Sequence, residues 1–336
     1  MRRAEFFTYD PDKKLVTCLL CPNRCVLRDG KTGVCRVRRA ADGELHTVNY
    51  GEVASYGMDP IEKKPLYHFY PGHDIFSLGT FGCNLHCRFC QNWEIAHGEP
   101  STVRTTPREI VELARQQGPR CIGIAYTYSE PLVWYEFVYD TAVLARGAGL
   151  KNVLVTNGFI EPEPLDRLLP YIDAMNIDVK AFTDDFYRKM CAGRLDPVRR
   201  TVETAVRNCH VEVTTLLITG ENDSPEEIGE LVSWIAGLDR EIPLHLSRYF
   251  PNYRFDAPPT PLETMRRARD IARAKLSYVY LGNVWENGYT CCPKCGKKVI
   301  ERSGYAIRAL HLKENNRCLY CGHPVNIVGE ARLTDG

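Results

Sequence analysis

The sequence contains no long apolar run and carries almost no net charge. No uninterrupted apolar stretch reaches the ~18 residues that a membrane span requires. The 43 Lys and Arg residues nearly balance the 42 Asp and Glu residues, so no overall field of one sign attracts nucleic acid or an anionic membrane. The N-terminal stretch has no apolar core and no small-residue cleavage site, which is not typical of a signal peptide. We therefore expect a cytoplasmic protein with no membrane partner, and nucleic acid binding is not favoured.

A glycine-rich dinucleotide fingerprint is also missing after the first predicted strand, which argues against an open doubly wound sheet. Short apolar runs alternate with amphipathic stretches of helical length. The predicted strands are Ile75–Thr80, Cys121–Ala125, Asn152–Thr156, Ala174–Val179, Val211–Ile218, Leu244–Ser247 and Tyr278–Leu281. The predicted helices are Pro107–Gln117, Pro131–Gly147, Pro162–Leu169, Asp196–Asn208, Ser224–Ala236 and Pro261–Ala274. This alternation predicts an α/β fold with a parallel sheet, in the form of a full or partial (β/α) barrel.

Cysteine is abundant, with fifteen residues, and most of the cysteines fall in three clusters. In a reducing cytosol, clustered cysteines bind metal more often than they form disulfides. The clusters divide the chain into a Cys-rich metal-binding segment (1–60), the barrel (61–285) and a zinc-ribbon-like module (286–336). We interpret the scattered Cys121, Cys191 and Cys209 as small buried apolar residues.

The central cysteine cluster follows the first predicted strand directly. Cys83, Cys87 and Cys90 have C-x3-C-x2-C spacing, which lets three thiolates surround one side of a cubane cluster. A structural zinc site usually takes four protein ligands, and an electron-transfer [4Fe–4S] centre takes four cysteines. The next cysteine, Cys121, begins the second predicted strand and so belongs at the opposite end of the barrel. The three-ligand set therefore predicts an iron that is open to an exogenous ligand.

This segment, with Phe89 just before the third cysteine, resembles the signature of the radical S-adenosylmethionine (SAM) superfamily. The resemblance implies a catalytic [4Fe–4S] cluster on Cys83, Cys87 and Cys90, with Phe89 beside the cofactor and SAM chelated by the open iron. It also implies that SAM is cleaved to methionine and a 5′-deoxyadenosyl radical, which abstracts a hydrogen atom.

The ends of later strands extend the resemblance. Ser129 and Glu130 occupy the place of the family's glycine-glycine-glutamate segment, which contacts the SAM amino group, although Tyr128 and Ser129 replace the two glycines. The alternative is that Glu130 caps the helix that begins at Pro131. Asn157 lies in a Thr-Asn-Gly turn like that of the glycyl-radical activating enzymes.

Three further positions match the activating enzymes. Asp178 and Lys180 correspond to an Asp-x-Lys strand end near the SAM carboxylate, and a lysine there pairs with it as a point charge. His245 falls where those enzymes place a SAM-contacting histidine; taken alone, a histidine there is more often structural. Val155 replaces an aspartate that helps to hold a monovalent cation, so we do not predict that cation.

Further motifs are spread over residues 15–325: GVCRVR at Gly33 to Arg38, then IAYTYSEP, VTNG, NIDVK, EVTTLLITGENDS and PLHLSRYFPNY. Together they resemble the radical SAM component of the AmmeMemoRadiSam system, which is related to pyruvate formate-lyase activating enzyme. The resemblance implies a radical SAM enzyme with a protein or other sizeable substrate, with AMMECR-like and Memo-like proteins as candidate partners and an electron donor such as flavodoxin or ferredoxin. Two alternatives remain: radical modification of RNA, a cofactor or a small metabolite, and a non-catalytic iron–sulfur or zinc scaffold.

The two flanking cysteine clusters predict further metal sites. Two C-x2-C pairs, each followed by glycine, predict a structural zinc ribbon on Cys292, Cys295, Cys318 and Cys321. The N-terminal cluster offers four thiolates at intervals that fit neither a ferredoxin run nor a two-knuckle ribbon. It could hold zinc or an auxiliary [4Fe–4S] cluster on Cys18, Cys21, Cys25 and Cys35.

Overall fold

The computed structural model describes residues 1–334, and its core is a largely parallel sheet of eight strands. The strands lie side by side in the order in which they occur in the chain, and β1 alone runs antiparallel to its neighbour β2. In chain order the strands are β1 (Ser55–Pro60), β2 (Asp74–Gly79), β3 (Cys121–Tyr126), β4 (Lys151–Thr156), β5 (Ala174–Asp178), β6 (His210–Leu217), β7 (Leu244–Arg248) and β8 (Val279–Gly282).

Helices connect the parallel strands and cover the sheet. The main helices are α1 (Pro107–Gln116), α2 (Tyr135–Gly147), α3 (Pro162–Leu168), α4 (Leu195–Ala205), α5 (Pro225–Leu238) and α6 (Leu262–Arg273). Thr106 and Glu109 form a complete capping box at the start of α1, and the Ser224 side chain caps α5. Shorter helical segments occupy Ile61–Lys63, Trp93–His97, Pro131–Trp134, Leu169–Tyr171, Asp184–Phe186, Tyr187–Cys191 and Glu314–Asn316. Within residues 1–334, no helix combines the length and apolarity needed to cross a membrane.

The sheet remains open at its edges. Strands β1 and β8 lie at opposite ends of the strand order, and in the described part of the chain no hydrogen-bonded ladder joins them. The predicted α/β fold with a largely parallel sheet is confirmed, whereas closure into a full barrel is not found among residues 1–334.

The N-terminal segment packs directly on the core of the sheet. Its strands are Arg2–Arg3, Glu44–Thr47 and Arg38–Ala41 in one sheet, Phe7–Asp10, Leu15–Cys18 and Val26–Leu27 in a second, and Glu52–Val53, which pairs with Val103–Arg104. The Phe6 ring meets Tyr135 of α2 edge-on at 5.1 Å, and buried Arg38 makes a bidentate ion pair with Glu136 at 2.7 and 2.9 Å. The segment and the sheet therefore share one apolar core.

The C-terminal module forms a small antiparallel sheet beside β8. Its strands are Gly288–Cys291, Lys298–Ser303 and Ala306–Leu310, followed by the pair Leu312–Lys313 and Arg317–Cys318. The chain then returns to the loop before β2, where the Tyr70 amide donates to the Val328 carbonyl at 2.7 Å and the Val328 amide donates to His68 at 2.8 Å. The module is thus tied to the central sheet by backbone hydrogen bonds.

Candidate functional site

A cavity opens at the carboxyl ends of the parallel strands, where enzymes of this architecture place their active sites. Nine of the ten residues predicted for the central cofactor site line it: Cys83, Cys87, Phe89, Cys90, Ser129, Glu130, Asn157, Asp178 and Lys180. The structure therefore brings together side chains that come from one loop and the ends of three neighbouring strands.

The three central cysteines lie on the loop after β2. Gly82 allows the loop to turn, because it has φ +95° and a Cβ atom there would lie 2.6 Å from the Cys35 carbonyl oxygen. Burial, followed by the nearby Glu130 charge and the other two thiolates, raises the pKa of Cys83. Burial and the Cys87 charge likewise raise the pKa of Cys90 to about 11. Three thiols that repel one another as thiolates in a buried space fit a cationic iron cluster, which stabilises the thiolate form.

The donor set of the cavity also fits a cluster with one open iron. Among the described residues that line the cavity, Cys83, Cys87 and Cys90 are the cysteines, so the cavity offers three thiols and not four. Soft thiolate ligands select iron–sulfur clusters, and a four-iron cluster on three cysteines leaves one iron for another ligand. The site can therefore hold a [4Fe–4S] cluster through Cys83, Cys87 and Cys90.

Cys191 is a neighbour of this site that the sequence did not reveal. Its buried thiol hydrogen-bonds to Cys87 and lowers the Cys87 pKa, and its carbonyl oxygen accepts from the His86 amide at 2.8 Å. Cys191 is buried, as predicted, and its contact with Cys87 is the feature that the sequence did not indicate. Cys191 is not among the residues that line the cavity, so it supports the loop from behind.

Glu130 joins the ends of β3 and β4. Its buried carboxylate accepts hydrogen bonds from the Thr156 hydroxyl at 2.6 Å, the Asn157 amide at 2.8 Å and the Leu132 amide at 3.0 Å. Burial raises the pKa of this carboxyl to about 7 despite these bonds. Glu130 thus caps the following helical turn, as the alternative interpretation held, and also lines the cavity.

Asn157 connects the turn after β4 to the cysteine loop. Its side-chain amide donates to the Asn84 side chain at 3.0 Å and lies 3.6 Å from the Cys83 sulfur. A hydrogen bond to a cluster sulfur is one way in which proteins tune iron–sulfur potentials. Gly158 completes the turn with φ +66°.

Asp178 and Lys180 form an ion pair at the end of β5, with Nζ and Oδ2 3.0 Å apart. Burial opposes the lysine charge, but Asp178 and the Cys87 thiolate outweigh it and raise the pKa of Lys180 above its usual value. A charged lysine therefore faces the cavity beside the cysteine loop.

Tyr128 stands where the family pattern has glycine. It adopts φ +69°, a left-handed conformation that is strained for tyrosine. Its hydroxyl donates to Asp59 at 2.7 Å, and the Lys64 ammonium lies 4.7 Å from the centre of its ring. These contacts hold the turn that places Ser129, whose hydroxyl donates to the Thr80 carbonyl at 2.6 Å, on the cavity wall.

His245 is the predicted site residue that the structure does not bring to the cavity. It is the second residue of β7, two positions before Ser247, which lines the cavity. Because a strand rises about 3.3 Å per residue, His245 lies roughly 7 Å deeper on the same face. Its Nε2 is 2.6 Å from the buried Glu212 carboxylate, and its ring meets Tyr67 edge-on. His245 therefore lies in a buried hydrogen-bond network and not on the cavity wall, and its contact with SAM stays a prediction.

The C-terminal cysteines form a compact four-thiol group. The ligand atoms of Cys292, Cys295, Cys318 and Cys321 all lie within 4.8 Å of one another. The sulfurs of Cys292 and Cys321 are 3.6 Å apart, and those of Cys295 and Cys318 are 3.7 Å apart. These distances fit four thiolates around one tetrahedral ion with metal–sulfur bonds of about 2.3 Å. The group predicted from the two C-x2-C pairs can therefore bind a metal ion.

The four N-terminal cysteines also converge. Burial, together with the charges of the other three thiolates, raises the pKa of Cys21 to about 12. Burial and Cys18 raise the pKa of Cys35 to about 11. Cys25 joins the group through a backbone hydrogen bond of 2.9 Å from the Cys18 amide.

Comparison with known proteins agrees with this geometry. The sequence model of the radical SAM superfamily matches residues 78–235, which run from β2 into α5. An uncharacterized protein of Methanocaldococcus jannaschii is 45% identical over 338 residues, covering 98% of this chain and all of that protein. Pyruvate formate-lyase 1-activating enzyme of Escherichia coli is 25% identical over 211 residues, covering 56% of this chain and 85% of the enzyme.

Among solved structures, Streptococcus suis SuiB bound to the precursor peptide SuiA has a TM-score of 0.50 at 15% identity. The match covers 67% of this chain and 51% of that chain, and it shows a shared fold. The cysteine loop, the polar strand ends and these similarities lead to one conclusion: residues 78–235 form a radical SAM domain, and the chain is homologous to the pyruvate formate-lyase activating enzymes.

Proposed function

We propose that this protein cleaves SAM reductively at a [4Fe–4S] cluster on Cys83, Cys87 and Cys90, and uses the radical to abstract hydrogen from a protein or other sizeable substrate. The observation that carries the proposal is the convergence of three thiols, a carboxylate and an ion pair on one cavity. When bound, the cluster supplies the electron for cleavage of SAM to methionine and a 5′-deoxyadenosyl radical.

The polar cavity wall suits the zwitterionic methionine end of SAM. Glu130 presents a carboxylate that favours an ammonium group, and Lys180 presents a charge that favours a carboxylate. Burying charges of this kind costs free energy unless they are paired. The Lys180 ammonium is paired with the Asp178 carboxylate, with Nζ and Oδ2 3.0 Å apart. These residues therefore bind and orient the ligand, while buried Phe89 excludes water beside the third cysteine.

Exposed aromatic side chains beside the cavity support a large substrate. Trp93, 37% exposed, follows the cysteine loop and stacks on Tyr253 at 5.2 Å. Phe250, 39% exposed, follows β7, and the Arg254 amide donates to the Arg88 carbonyl, which joins this loop to the cysteine loop. Aromatic and arginine side chains are enriched at protein interfaces. The Escherichia coli relative, by its name, activates another enzyme, and AMMECR-like and Memo-like proteins are the first substrates to test.

The direct test is the formation of 5′-deoxyadenosine. Anaerobic protein with a reconstituted cluster is incubated with dithionite and SAM, and the product is measured by mass spectrometry. We expect product from the wild type and from Cys121→Ala, a control at the opposite end of β3, and none from Cys83→Ala. Cleavage by Cys83→Ala at the wild-type rate, or no cleavage by wild type that contains iron, would contradict the proposal.

A second assay addresses the substrate. Candidate proteins carrying deuterium are added to the reaction, and the deuterium content of 5′-deoxyadenosine is measured. Transfer from a candidate protein supports a protein substrate. Transfer only from RNA or a small metabolite would overturn that part of the proposal and leave the SAM chemistry intact.

A further inference from the structure

The N-terminal cysteine group is a buried site that the proposed reaction does not use. Cys18, Cys21 and Cys35 are each 6 to 7% exposed, and a backbone amide donates to the sulfur of each. Three buried thiols with amide donors, beside the half-buried Cys25, suit a cationic metal centre, because such a centre stabilises thiolates.

This group lies directly behind the radical SAM cysteine loop. The Asn23 side chain, between Cys21 and Cys25, donates to the Asn84 carbonyl at 2.7 Å. The His86 ring contacts the Val34 carbonyl at 3.1 Å, one residue before Cys35. Asn84 and His86 flank the ligands of the radical SAM cluster, so the two cysteine groups touch through the loops that carry them.

The spacing of the thiols distinguishes this group from the ribbon. The ligand atoms of the four ribbon cysteines all lie within 4.8 Å of one another. Within residues 1–334, neither the N-terminal cysteines nor Cys83, Cys87 and Cys90 form so compact a group. Four thiolates that bind one zinc ion lie close to one another, because they share a single metal atom. In a cubane cluster each thiolate binds a different iron, so the thiolate sulfurs lie farther apart. By this measure the N-terminal thiols group with the radical SAM cysteines and not with the ribbon.

The surface over this group is basic. Residues 21–40 contain six cations and one acid, Asp29, and the cations other than Arg38 are exposed: Arg24, Arg28, Lys31, Arg36 and Arg39. Arg24 pairs with Glu161 and Arg36 with Glu99, so the excess positive charge comes from Arg28, Lys31 and Arg39. Val26, 59% exposed, follows Cys25, and Val34, 46% exposed, precedes Cys35. A cationic surface with an apolar centre complements an acidic protein and accelerates its association.

We propose that Cys18, Cys21, Cys25 and Cys35 hold a second [4Fe–4S] cluster, which relays electrons from an acidic one-electron carrier protein to the radical SAM cluster. The reduced carrier gives one electron to the second cluster and is oxidised, and that cluster then reduces the radical SAM cluster by one electron and returns to its oxidised state. The second cluster is an inference beyond the proposed function, whereas the electron relay rests on the proposed cleavage of SAM.

The first experiment isolates the second cluster. The triple variant Cys83→Ala/Cys87→Ala/Cys90→Ala is reconstituted anaerobically, and iron, zinc and the electron paramagnetic resonance spectrum after dithionite reduction are measured. We expect about four irons per chain and a reduced-cluster signal that SAM does not alter. A triple variant without iron, or with zinc in place of iron at this group, overturns the proposal. This outcome does not depend on whether wild type cleaves SAM.

The complementary variant tests the ligands. Cys18→Ala/Cys21→Ala should retain about four of the wild type's eight irons per chain, and its remaining signal should change when SAM is added. Retention of the zinc in the ribbon reports that the variant has folded. A double variant with the wild-type iron content would contradict the assignment.

The relay is tested by stopped-flow reduction with reduced ferredoxin. Arg28→Glu/Lys31→Glu should slow reduction of the triple variant by at least about tenfold at low ionic strength, and the difference should fade with salt. Arg308→Glu, an exposed cation on the ribbon, is the matched control and should react at the wild-type rate. Equal slowing by both charge reversals would show that carrier docking is not at this surface and would overturn the relay.

Discussion

At the scale of single residues, Gly79 marks a close approach of two strand ends. A Cβ atom at this last residue of β2 would lie 2.3 Å from the Thr127 carbonyl oxygen and 3.1 Å from Tyr128 Cβ. We expect Gly79→Ala to lower the free energy of unfolding by about 1–3 kcal/mol. Because the turn that carries Glu130 must shift, SAM cleavage should fall by about tenfold or more.

Gly57→Ala is the matched control for this substitution. Gly57 lies on the neighbouring strand β1, and a Cβ atom there would meet nothing within 4 Å. Its free energy of unfolding in urea should stay within about 0.5 kcal/mol of wild type. Equal effects of the two substitutions would show that the close approach at Gly79 does not matter.

Cys191 distinguishes a supporting thiol from a cluster ligand. Its thiol hydrogen-bonds to Cys87 but does not line the cavity. We expect Cys191→Ala to retain the radical SAM cluster but to lower SAM cleavage by about 10-fold, as is typical when a partner of a metal ligand is lost. Cys87→Ala should lose the cluster. Loss of the cluster from Cys191→Ala as well, measured by iron content and by the SAM-sensitive resonance signal, would assign Cys191 as a ligand.

At the scale of elements, the sequence predicted the strands and helices of the central sheet closely. The prediction for β4, Asn152–Thr156, differs from the observed Lys151–Thr156 by one residue, because its buried apolar run is flanked by clear turn residues. Strand β1 was not predicted, since Ser55–Pro60 contains glycine and proline and lacks an apolar run. An edge strand tolerates such residues because one side of its backbone needs no partner.

Side-chain positions were harder to predict than elements. The alternation in β7 puts His245 and Ser247 on one face, but depth along the strand depends on register with β6, which is a tertiary property. Cys191 reaches Cys87 through a helical turn with no motif of its own. Long-range contacts of this kind leave no local periodicity for a sequence to display.

The ribbon yields a prediction of its own. We expect one zinc ion per chain held by the four C-terminal cysteines, so Cys318→Ser should lose it and expose residues 288–334 to proteolysis. Cys291→Ser is the matched control, because Cys291 precedes the first ligand but lies outside the four-thiol group. Zinc analysis and limited proteolysis test both variants. Zinc retention by Cys318→Ser, or zinc loss from Cys291→Ser, would contradict the assignment.

At the scale of the whole molecule, buried His68 joins the central sheet to the C-terminal module. Its Nδ1 is 2.5 Å from the Asn326 carbonyl oxygen and its Nε2 is 2.6 Å from the Tyr280 hydroxyl. Burial lowers the pKa of His68 from 6.5 to about 4. Since the folded pKa lies below the unfolded one, neutral His68 stabilises the fold above about pH 6.5, and this contribution is lost as the pH falls toward 4.

We therefore expect the free energy of unfolding to decrease in acid because of His68. The free energy of unfolding should fall between pH 6.5 and 4, with about 3 kcal/mol from this group at most. His68→Gln should flatten that dependence, whereas Tyr280→Phe should lower stability by about 1 kcal/mol and keep the slope. Anaerobic urea unfolding from pH 7.5 to pH 5 measures the slopes. Parallel curves for wild type and His68→Gln would refute the assignment.

The return of the chain from Val328 to the loop before β2 also bears on how the protein is made. The neighbouring His68–Asn326 contact joins residues 258 positions apart, and such contacts form late because a large loop must close first. On the ribosome, Cys18 to Cys90 emerge long before the residues that seal this end of the sheet. Iron–sulfur clusters can therefore be inserted into the N-terminal half before the fold is complete. The C-terminal module would then pack against a sheet that already holds its metal.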